Sequence, residues 1–248
     1  MKVAISQPTY LPWLGYFDII DQVDIFVFLD SVQFEKRSWQ QRNRIKTPDG
    51  LRWLTVPVMV SGRWTQKIHE VEIQDSDFGA KHLRSIESNY QRAPFFDRYF
   101  PEMKSILCGR SFGSRLAELN LELISWFCSR LGVKTRIVRS SQMTAEGARS
   151  KLLLGLCRQL DAGVYLTSLG AANYLLGDLA LFSEAGITVS FQHFEHPEYR
   201  QLFPPFCPFA SVLDLIFNEG ENALSLIRSG RRAAFTPEEV AVSVTGNR

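Results

Sequence analysis

The stretch VAISQPTYLPWLGYFDIIDQVDIFVFLD, residues 3–30, decides the expected fold. Residues 3–5 form a short apolar run with β-branched side chains, which predicts a buried strand. A Pro-containing loop follows, and then a helix over 15–22 and a second strand over 24–30. The second strand is almost continuously apolar, as parallel strands covered on both faces are. This order of elements indicates a mostly parallel sheet with crossover helices.

The remainder of the chain extends this α/β pattern. The turn signal Thr47-Pro48-Asp49-Gly50 lies between 44–46 and 51–56 and predicts an antiparallel hairpin. Helices are expected over 77–92, 96–108 and 113–130, then strands at 135–138, 164–167 and 187–191 alternating with helices near 145–161 and 171–185. We therefore expect one α/β domain over 1–230, with a helical subregion near 77–130. The tail over 231–248 has little periodicity and is expected to be mobile.

Composition narrows the class of protein. With 45% hydrophobic and 22% charged residues, wholesale disorder and fibrous repeats are excluded. The formal net charge of +2 provides no broad basic field, so we expect no nucleic-acid polymer as a partner. No stretch reaches the roughly 18 consecutive apolar residues that a membrane span needs. The opening residues MKVAISQPTY lack the apolar core of a signal peptide, so we expect a cytoplasmic location.

The first loop, residues 7–17, lies between the first predicted strand and the first predicted helix. In open α/β sheets, ligands bind in the crevice at the carboxyl ends of the strands. A helix N-terminus there offers free N–H groups and a partial positive charge to phosphate or carboxylate. The alternative is a rigid aromatic loop packed on the core. The candidate ligand-binding residues of this loop are Gln7, Pro8, Tyr10, Trp13 and Gly15.

The second loop, residues 30–44, follows the second predicted strand and is expected to reach the same edge of the sheet. Its arginines supply planar, forked donors that suit phosphate or carboxylate, and amides and an aromatic residue are interleaved with them. The alternative is a solvated basic loop. The candidate anion-binding residues are Gln33, Lys36, Arg37, Ser38, Trp39, Arg42, Asn43 and Arg44.

Two later loops also follow predicted strands. The small residues around Ser168 form either a second anion cradle or a plain strand-to-helix turn. His193 and His196 are spaced for a possible metal pair, but Pro197 prevents a continuing helix, no third His or Cys ligand lies in range, and the four cysteines include no CxxC pair. We therefore propose no metal site. An imidazole of this loop is expected to act as acid or base, or only to form a structural hydrogen bond.

Five segments stand together in a distinctive order. They are AISQPTYLPWLGYFDII (4–20), FLDSVQFEKRSWQQRNRI (28–45) with LTVPV (54–58), YLTSLGAANYL (165–175), HPEYRQ (196–201) and FASVLDLIFNEG (209–220). In this order they resemble the WbqC-like family of bacterial polysaccharide and O-antigen gene clusters, over about residues 1–230. The resemblance implies a transferase that attaches an amino acid such as glycine, or another acyl group, to an amino sugar. A nucleotide-activated sugar is the implied acceptor.

The opening loop is similar, more weakly, to the HIGH-type turn of nucleotidyltransferases and pantothenate synthetase-like ligases. That resemblance implies a HUP-like fold. In this chain Tyr16 follows Gly15, and the histidines that stabilise the transferred phosphate in that motif are absent. The departure argues against adenylyl transfer, although the same fold can support other chemistry.

The transferase hypothesis gives the candidate residues distinct roles. Arg37, Arg42 and Arg44 would bind phosphates, whereas Gln7, Ser38 and Asn43 would orient polar groups. Either His196 or Asp30 would accept a proton, because an amine must be neutral to attack. Tyr199 completes the set of candidate substrate-binding residues.

The cofactor and the class of activity are left open by the sequence. ATP with Mg²⁺ and an acyl thioester are the candidate cosubstrates, and the partner is a small phosphorylated molecule such as a sugar nucleotide. No covalent nucleophile is evident, which favours direct transfer in a ternary complex. The alternatives are an ATP-dependent ligase or nucleotidyltransferase, and a sugar-nucleotide-binding protein without activity. The sequence does not indicate an oligomeric state.

Overall fold

A parallel sheet of five strands forms the centre of the described part of the molecule. The computed structural model describes residues 1–75, 77–109 and 111–245. The strands of the described residues, in both the central sheet and a separate hairpin, are β1 (Lys2–Ser6), β2 (Ile25–Phe28), β3 (Arg42–Thr47), β4 (Gly50–Thr55), β5 (Arg136–Arg139), β6 (Val164–Thr167) and β7 (Thr188–Phe191). The central sheet has the order β5-β2-β1-β6-β7 with every neighbouring pair parallel, while β3 and β4 form a separate antiparallel hairpin. The predicted α/β class with a mostly parallel sheet and a hairpin is confirmed.

The strand order produces a switch point in the middle of the sheet. From β1 the chain proceeds outward through β2 to β5, and it then returns to the other side of β1 to form β6 and β7. This is the doubly wound order, in which the loops after the two central strands diverge to opposite faces. A crevice is therefore expected beyond the carboxyl ends of β1 and β6.

Helices cover both faces of the sheet. They are α1 (Leu14–Asp21), α2 (Phe78–Tyr90), α3 (Phe96–Gly109), α4 (Leu116–Leu131), α5 (Ser150–Gln159), α6 (Ala172–Leu175), α7 (Leu179–Glu184), α8 (Val212–Glu219), α9 (Ala223–Ser229) and α10 (Pro237–Thr245). The single helix predicted near 171–185 is wrong, because 3₁₀ turns at Leu169–Ala171 and Leu176–Asp178 flank a short α6. Gly177 lies in the second turn, and glycine weakens a helix interior.

Alternating side chains of the central strands pack into two apolar cores, one on each face of the sheet. Ala4, Phe26 and Leu166 point to the core that holds α1 to α4, α8 and α9. Val3 and Tyr165 lie in the core on the opposite face, with α5 to α7 and α10. Successive residues of a strand point to opposite faces, so this division follows directly from the strand geometry. Among the described residues, no helix is both long and apolar enough to cross a membrane.

Residues 231–242 are packed on the molecule, whereas the sequence predicts a mobile tail over 231–248, of which 246–248 lie outside the described residues. Phe235 and Phe191 exchange two backbone hydrogen bonds of 2.9 Å, so the segment runs along the outer edge of β7. Arg231 forms ion pairs with Asp18 and Asp21 of α1, at 2.8 and 2.6 Å. The sequence does not reveal this arrangement, because two isolated bridges and one ion-pair cluster leave no periodic pattern.

Candidate ligand-binding site

Two adjoining cavities lie beyond the carboxyl ends of β1 and β6. The first, of about 370 Å³, is called the aromatic cavity, and the second, of about 300 Å³, is called the polar cavity. Residues that line both cavities are Ile5, Ser6, Thr9, Trp39 and Ser168. Ligands of doubly wound proteins bind at this switch point. The two cavities are therefore the candidate site.

The aromatic cavity is built around the start of α1. Its wall is formed by Trp13, Tyr16, Trp39 and Phe209. Gly15 lets the Trp13 ring lie directly on the helix, since a Cβ at this position would be 2.3 Å from a ring carbon. Trp39 and Phe209 are each 48% exposed. Flat, half-exposed rings of this kind can stack on a nucleobase or a sugar ring.

Arg44 brings positive charge to the aromatic cavity. Its guanidinium lies 5.5 Å from the ring centroids of both Trp39 and Trp53, and Arg42 lies 4.4 Å from Trp53. The strand register places Arg44 directly opposite Trp53 on the hairpin. The Nε atoms of both arginines are buried without a hydrogen-bond partner, and within the described residues neither guanidinium has a carboxylate at ion-pair distance. Cation–π contacts therefore hold two guanidinium groups that have charge available for an anion.

The polar cavity has hydroxyl, amide and carboxylate side chains beside several apolar ones. Its polar lining includes Ser6, Gln7, Thr9, Glu35, Ser38, Gln40, Thr167, Ser168 and Tyr174. Gln40 is buried and donates a 2.8 Å hydrogen bond from Nε2 to Oε1 of Gln7. Asn120, buried on α4, donates to the Gln40 carbonyl at 2.8 Å. These bonds fix the two loops that follow β1 and β2 relative to one another.

The structure brings together about half of the residues predicted for the site. The predicted residues that line the cavities are Gln7, Trp13, Gly15, Ser38, Trp39, Asn43, Arg44 and Ser168. Asn43 has a structural role, because its Nδ2 donates to the Leu11 carbonyl at 2.8 Å and its Oδ1 accepts from the Arg44 N–H. The predicted residues outside the cavity linings are Pro8, Tyr10, Asp30, Gln33, Lys36, Arg37, Arg42, His196 and Tyr199.

Asp30 is a buried link between two strands. Its carboxylate accepts hydrogen bonds from the Arg139 guanidinium, from the hydroxyls of Ser140 and Ser141, and from the Ser141 N–H, all between 2.8 and 3.1 Å. These bonds connect the end of β2 to the end of β5. With its oxygens occupied and outside the cavity lining, the carboxylate has no contact that supports the proton-accepting role predicted for it.

His196 lies within an aromatic cluster. Its ring centroid is 6.2 Å from that of Trp13 and 5.2 Å from that of Phe209, so it packs on two rings of the aromatic cavity without lining the cavity itself. Its Nδ1 is 2.9 Å from the Pro197 carbonyl, to which the N–H donates, and Nε2 is buried without a partner. Burial lowers the pKa of His196. The contacts support a role in packing the cavity wall.

Two predicted tyrosines belong to buried hydrogen-bond networks. Tyr10 is fully buried, and its hydroxyl is 2.8 Å from Nδ1 of His82. Tyr199 donates to Asp214 at 2.8 Å, and Tyr90 and Gln201 donate to the same carboxylate. Burial raises the pKa of Asp214 despite these bonds. Asp214 is therefore a structural carboxylate, and Tyr10 and Tyr199 stabilise the core.

Several predicted anion-binding residues face solvent on the outer part of the second loop. Lys36 lies 4.7 Å above the ring of Trp64, and Gln33 donates to the Trp64 carbonyl at 2.9 Å. Arg37 is exposed and has a positive φ of 58°, with its N–H bound to the side chain of Gln41. The charged residues of this loop are similar in type, so the sequence does not reveal that Glu35 and Arg44 line the cavities while Lys36 and Arg37 do not.

Some lining residues were not identified from the sequence. They are Ser6, Thr9, Glu35, Thr167, Gln192 and Phe209, among others. Ser6 and Thr167 end β1 and β6, so their position at the switch point was a usable signal. Phe209 comes from a long irregular loop whose path has no sequence signature. Within the described residues, no group of three or more His, Cys, Asp or Glu side chains is placed to hold a metal ion.

The fold and the paired cavities define a doubly wound α/β protein with a candidate ligand site at its switch point. The chain belongs to the WbqC-like protein family, which it matches over residues 7–226. It is also 39% identical over 232 residues to the uncharacterized protein Rv1507c of Mycobacterium tuberculosis (strain ATCC 25618 / H37Rv), covering 93% of this chain and 99% of that relative. No solved structure matched the chain. The narrower likeness to HIGH-type folds stays a prediction.

Proposed function

We propose that this protein is a transferase that attaches an aminoacyl group such as glycyl, or another acyl group, to an amino sugar carried on a nucleotide. The proposal places the reaction in bacterial polysaccharide or O-antigen synthesis. The observation that supports it best is the pair of adjoining cavities with a common wall. Two reactants held side by side can react directly, because binding has already met the entropic cost of bringing them together.

The two cavities differ in the chemistry that they offer to a ligand. The aromatic cavity combines stacking surfaces with the unpaired guanidinium of Arg44, which suits a nucleotide with its phosphates. The polar cavity offers hydroxyls and amides, which suit a sugar and an acyl group. We therefore assign the nucleotide to the aromatic cavity and the reacting groups to the polar cavity.

The lining residues favour direct transfer over a covalent acyl-enzyme. No cysteine lines either cavity among the residues that the structure describes. The Ser38 hydroxyl donates to the Glu35 carbonyl at 2.7 Å, and none of the lining serines has a histidine in hydrogen-bond reach in the described region. An activated serine needs such a base. The amine of the acceptor would then attack the acyl donor within a ternary complex.

The proposal is tested by incubating the protein with acyl donors and amino-sugar nucleotides while product mass is followed. Wild type is expected to form an N-acyl product. Arg44→Gln is expected to weaken nucleotide binding about 10-fold or more, because charge-assisted hydrogen bonds to phosphate are lost. Arg52→Gln is the matched control, since Arg52 is exposed on the same hairpin and lies outside both cavities.

Three outcomes of this assay distinguish the classes of function. N-acyl product that depends on Arg44 supports the transferase. Mg²⁺-dependent release of pyrophosphate from ATP would assign an ATP-dependent ligase or nucleotidyltransferase in its place. Nucleotide binding without turnover across a broad panel of donors would indicate a sugar-nucleotide-binding protein without enzymatic activity.

A further inference from the structure

Glu35 is the one acidic side chain that lines either cavity among the described residues, and Arg44 is the one basic side chain. Arg44 belongs to the aromatic cavity and Glu35 to the polar cavity, so the two charges are separated along the site. A ligand that spans both cavities would match this arrangement with an anionic group at one end and a cationic group at the other. An amino sugar on a nucleotide carries charges in that order.

The backbone of Glu35 is held in place while its carboxylate is left available. The Glu35 N–H donates to Oε1 of Gln40 at 3.2 Å, and its carbonyl accepts the Ser38 hydroxyl at 2.7 Å. Gln40 is itself 1% exposed and bound to Gln7. Within the described residues, the Glu35 side chain forms neither a hydrogen bond nor an ion pair with the protein. The backbone position of Glu35 is therefore fixed, and its carboxylate is free to bind a ligand.

The other carboxylates near the switch point are already occupied. Asp30 binds Arg139, Asp18 binds Arg231 and Gln192, and Asp214 accepts from two tyrosines and an amide. Each of these carboxylates is buried and accepts hydrogen bonds from the protein. None of them can bind a substrate amine without losing a partner, which is costly for a buried group.

We infer that Glu35 binds the amino group of the acceptor and takes its proton during transfer, a role that rests on the function proposed above. The acceptor enters as an ammonium ion, whose N–H groups form charge-assisted hydrogen bonds with the carboxylate. The ammonium must lose a proton before it can act as a nucleophile. A carboxylate in contact with the nitrogen is the group placed to receive that proton.

The transfer step balances with an activated acyl donor, either an acyl thioester or an acyl phosphate anhydride. The Glu35 carboxylate takes a proton from the ammonium, and the lone pair of the nitrogen forms a bond to the acyl carbon. The bond from that carbon to the sulfur or phosphate oxygen breaks, and its electron pair leaves with the departing group. The second proton lost from the nitrogen goes to solvent or to the departing thiolate or phosphate.

The test is a binding comparison between an amine and its hydroxyl counterpart. UDP-glucosamine and UDP-glucose, and the corresponding dTDP pair, are titrated against the protein while tryptophan fluorescence is followed, since Trp13 and Trp39 line the aromatic cavity. Wild type is expected to prefer the amine by about 10-fold or more, the value of a charge-assisted hydrogen bond. Glu35→Gln is expected to lose this preference and to keep its affinity for the hydroxyl form.

Two control variants keep the outcome interpretable. Glu35→Asp retains the carboxylate and should recover part of the preference for the amine, whereas Glu87→Gln removes an exposed carboxylate of α2 and should change nothing. Because Glu35 is exposed and its side chain is unpartnered, its variants should have wild-type melting temperatures.

Each outcome bears on one of the two proposals. Loss of the amine preference in Glu35→Gln supports the assignment of Glu35. Two results would overturn that assignment without contradicting the proposed transferase function. One is a Glu35→Gln variant that keeps the wild-type preference for the amine, and the other is wild-type protein that binds the amine and hydroxyl forms equally. Wild type that binds none of the four sugar nucleotides overturns the proposed function and the role of Glu35 with it.

Discussion

Trp39 and Trp53 show how single residues of the hairpin region prepare the site for an anion. Their ring centroids lie 5.2 Å apart, and the guanidinium groups of Arg42 and Arg44 pack on them. An arginine on an aromatic face keeps its N–H edges free for a ligand, whereas an arginine in an ion pair does not. The pairing therefore stabilises positive charge without neutralising it.

At the same scale, His82 is expected to make stability depend on pH. Burial lowers the pKa of His82 to about 4 from its ordinary value of 6.5. The unfolded chain therefore binds more protons than the folded protein between these values, and stability falls as pH drops through that window. Between pH 7.5 and pH 5 the expected loss from this group is about 2 kcal/mol.

His82→Gln is the variant that isolates this effect. Glutamine can still accept from Tyr10 and donate to the Thr55 carbonyl, which are the contacts of the imidazole. Urea unfolding at pH 7.5 and pH 5 should show a smaller loss of stability for the variant than for wild type. Equal losses for the two proteins would contradict the assignment.

Individual residues also mark the limit of what the sequence could predict. Residues after strands were found because topology alone brings the carboxyl ends of parallel strands together. The side-chain direction within a loop was not predictable, so Tyr10 and Trp13 appeared equivalent although one is core and the other lines a cavity. Glu35 was hidden in the same way among the charged residues of its loop.

At the scale of elements, the start of α1 determines the shape of the aromatic cavity. Gly15→Ala would place a methyl group 2.3 Å from a carbon of the Trp13 ring, so the ring must move away from the helix. We expect weaker nucleotide binding and an altered near-UV circular dichroism spectrum, with the far-UV spectrum retained. Gly109→Ala in α3 is the matched control, because a methyl group there meets nothing within 4 Å. Unchanged binding in Gly15→Ala would argue against a ligand in the aromatic cavity.

The strands and helices themselves were largely predictable because hydrophobic periodicity is a local property. β6 spans Val164–Thr167, the same residues that the sequence predicts. Helix starts were less accurate: the helix predicted from about 145 begins at Ser150, after Gly147 and Arg149 with φ of 104° and 50°. These conformations depend on how the preceding loop crosses the sheet, and no propensity encodes that path.

At the scale of the whole molecule, residues 231–235 connect the last strand to the first helix. Removing residues 231–248 would leave Asp18, which is fully buried, without the guanidinium of Arg231. An uncompensated buried charge costs about 3–5 kcal/mol. We expect the shortened chain to unfold at a distinctly lower urea concentration than wild type.

A smaller deletion, of residues 237–248, separates the two contributions of this segment. It removes α10 but keeps Arg231 and Phe235, so the ion pairs and the bridge to β7 are retained. Its loss of stability should be smaller than that of the longer deletion. If both deletions are equally destabilising, packing of α10 and not the ion pair is the main contribution.

The bridge between Phe191 and Phe235 has a consequence for solubility. A bare strand at the edge of a sheet can recruit the same strand from another molecule, and natural proteins cover or charge such edges. Here β5 carries Arg136 and Arg139 at one edge, while β7 at the other is covered by a segment that comes more than forty residues later. Cleavage of the chain between Phe191 and Phe235 would allow the covering segment to dissociate and would leave the edge of β7 open. Such a molecule would self-associate through this edge even though its cavities are intact.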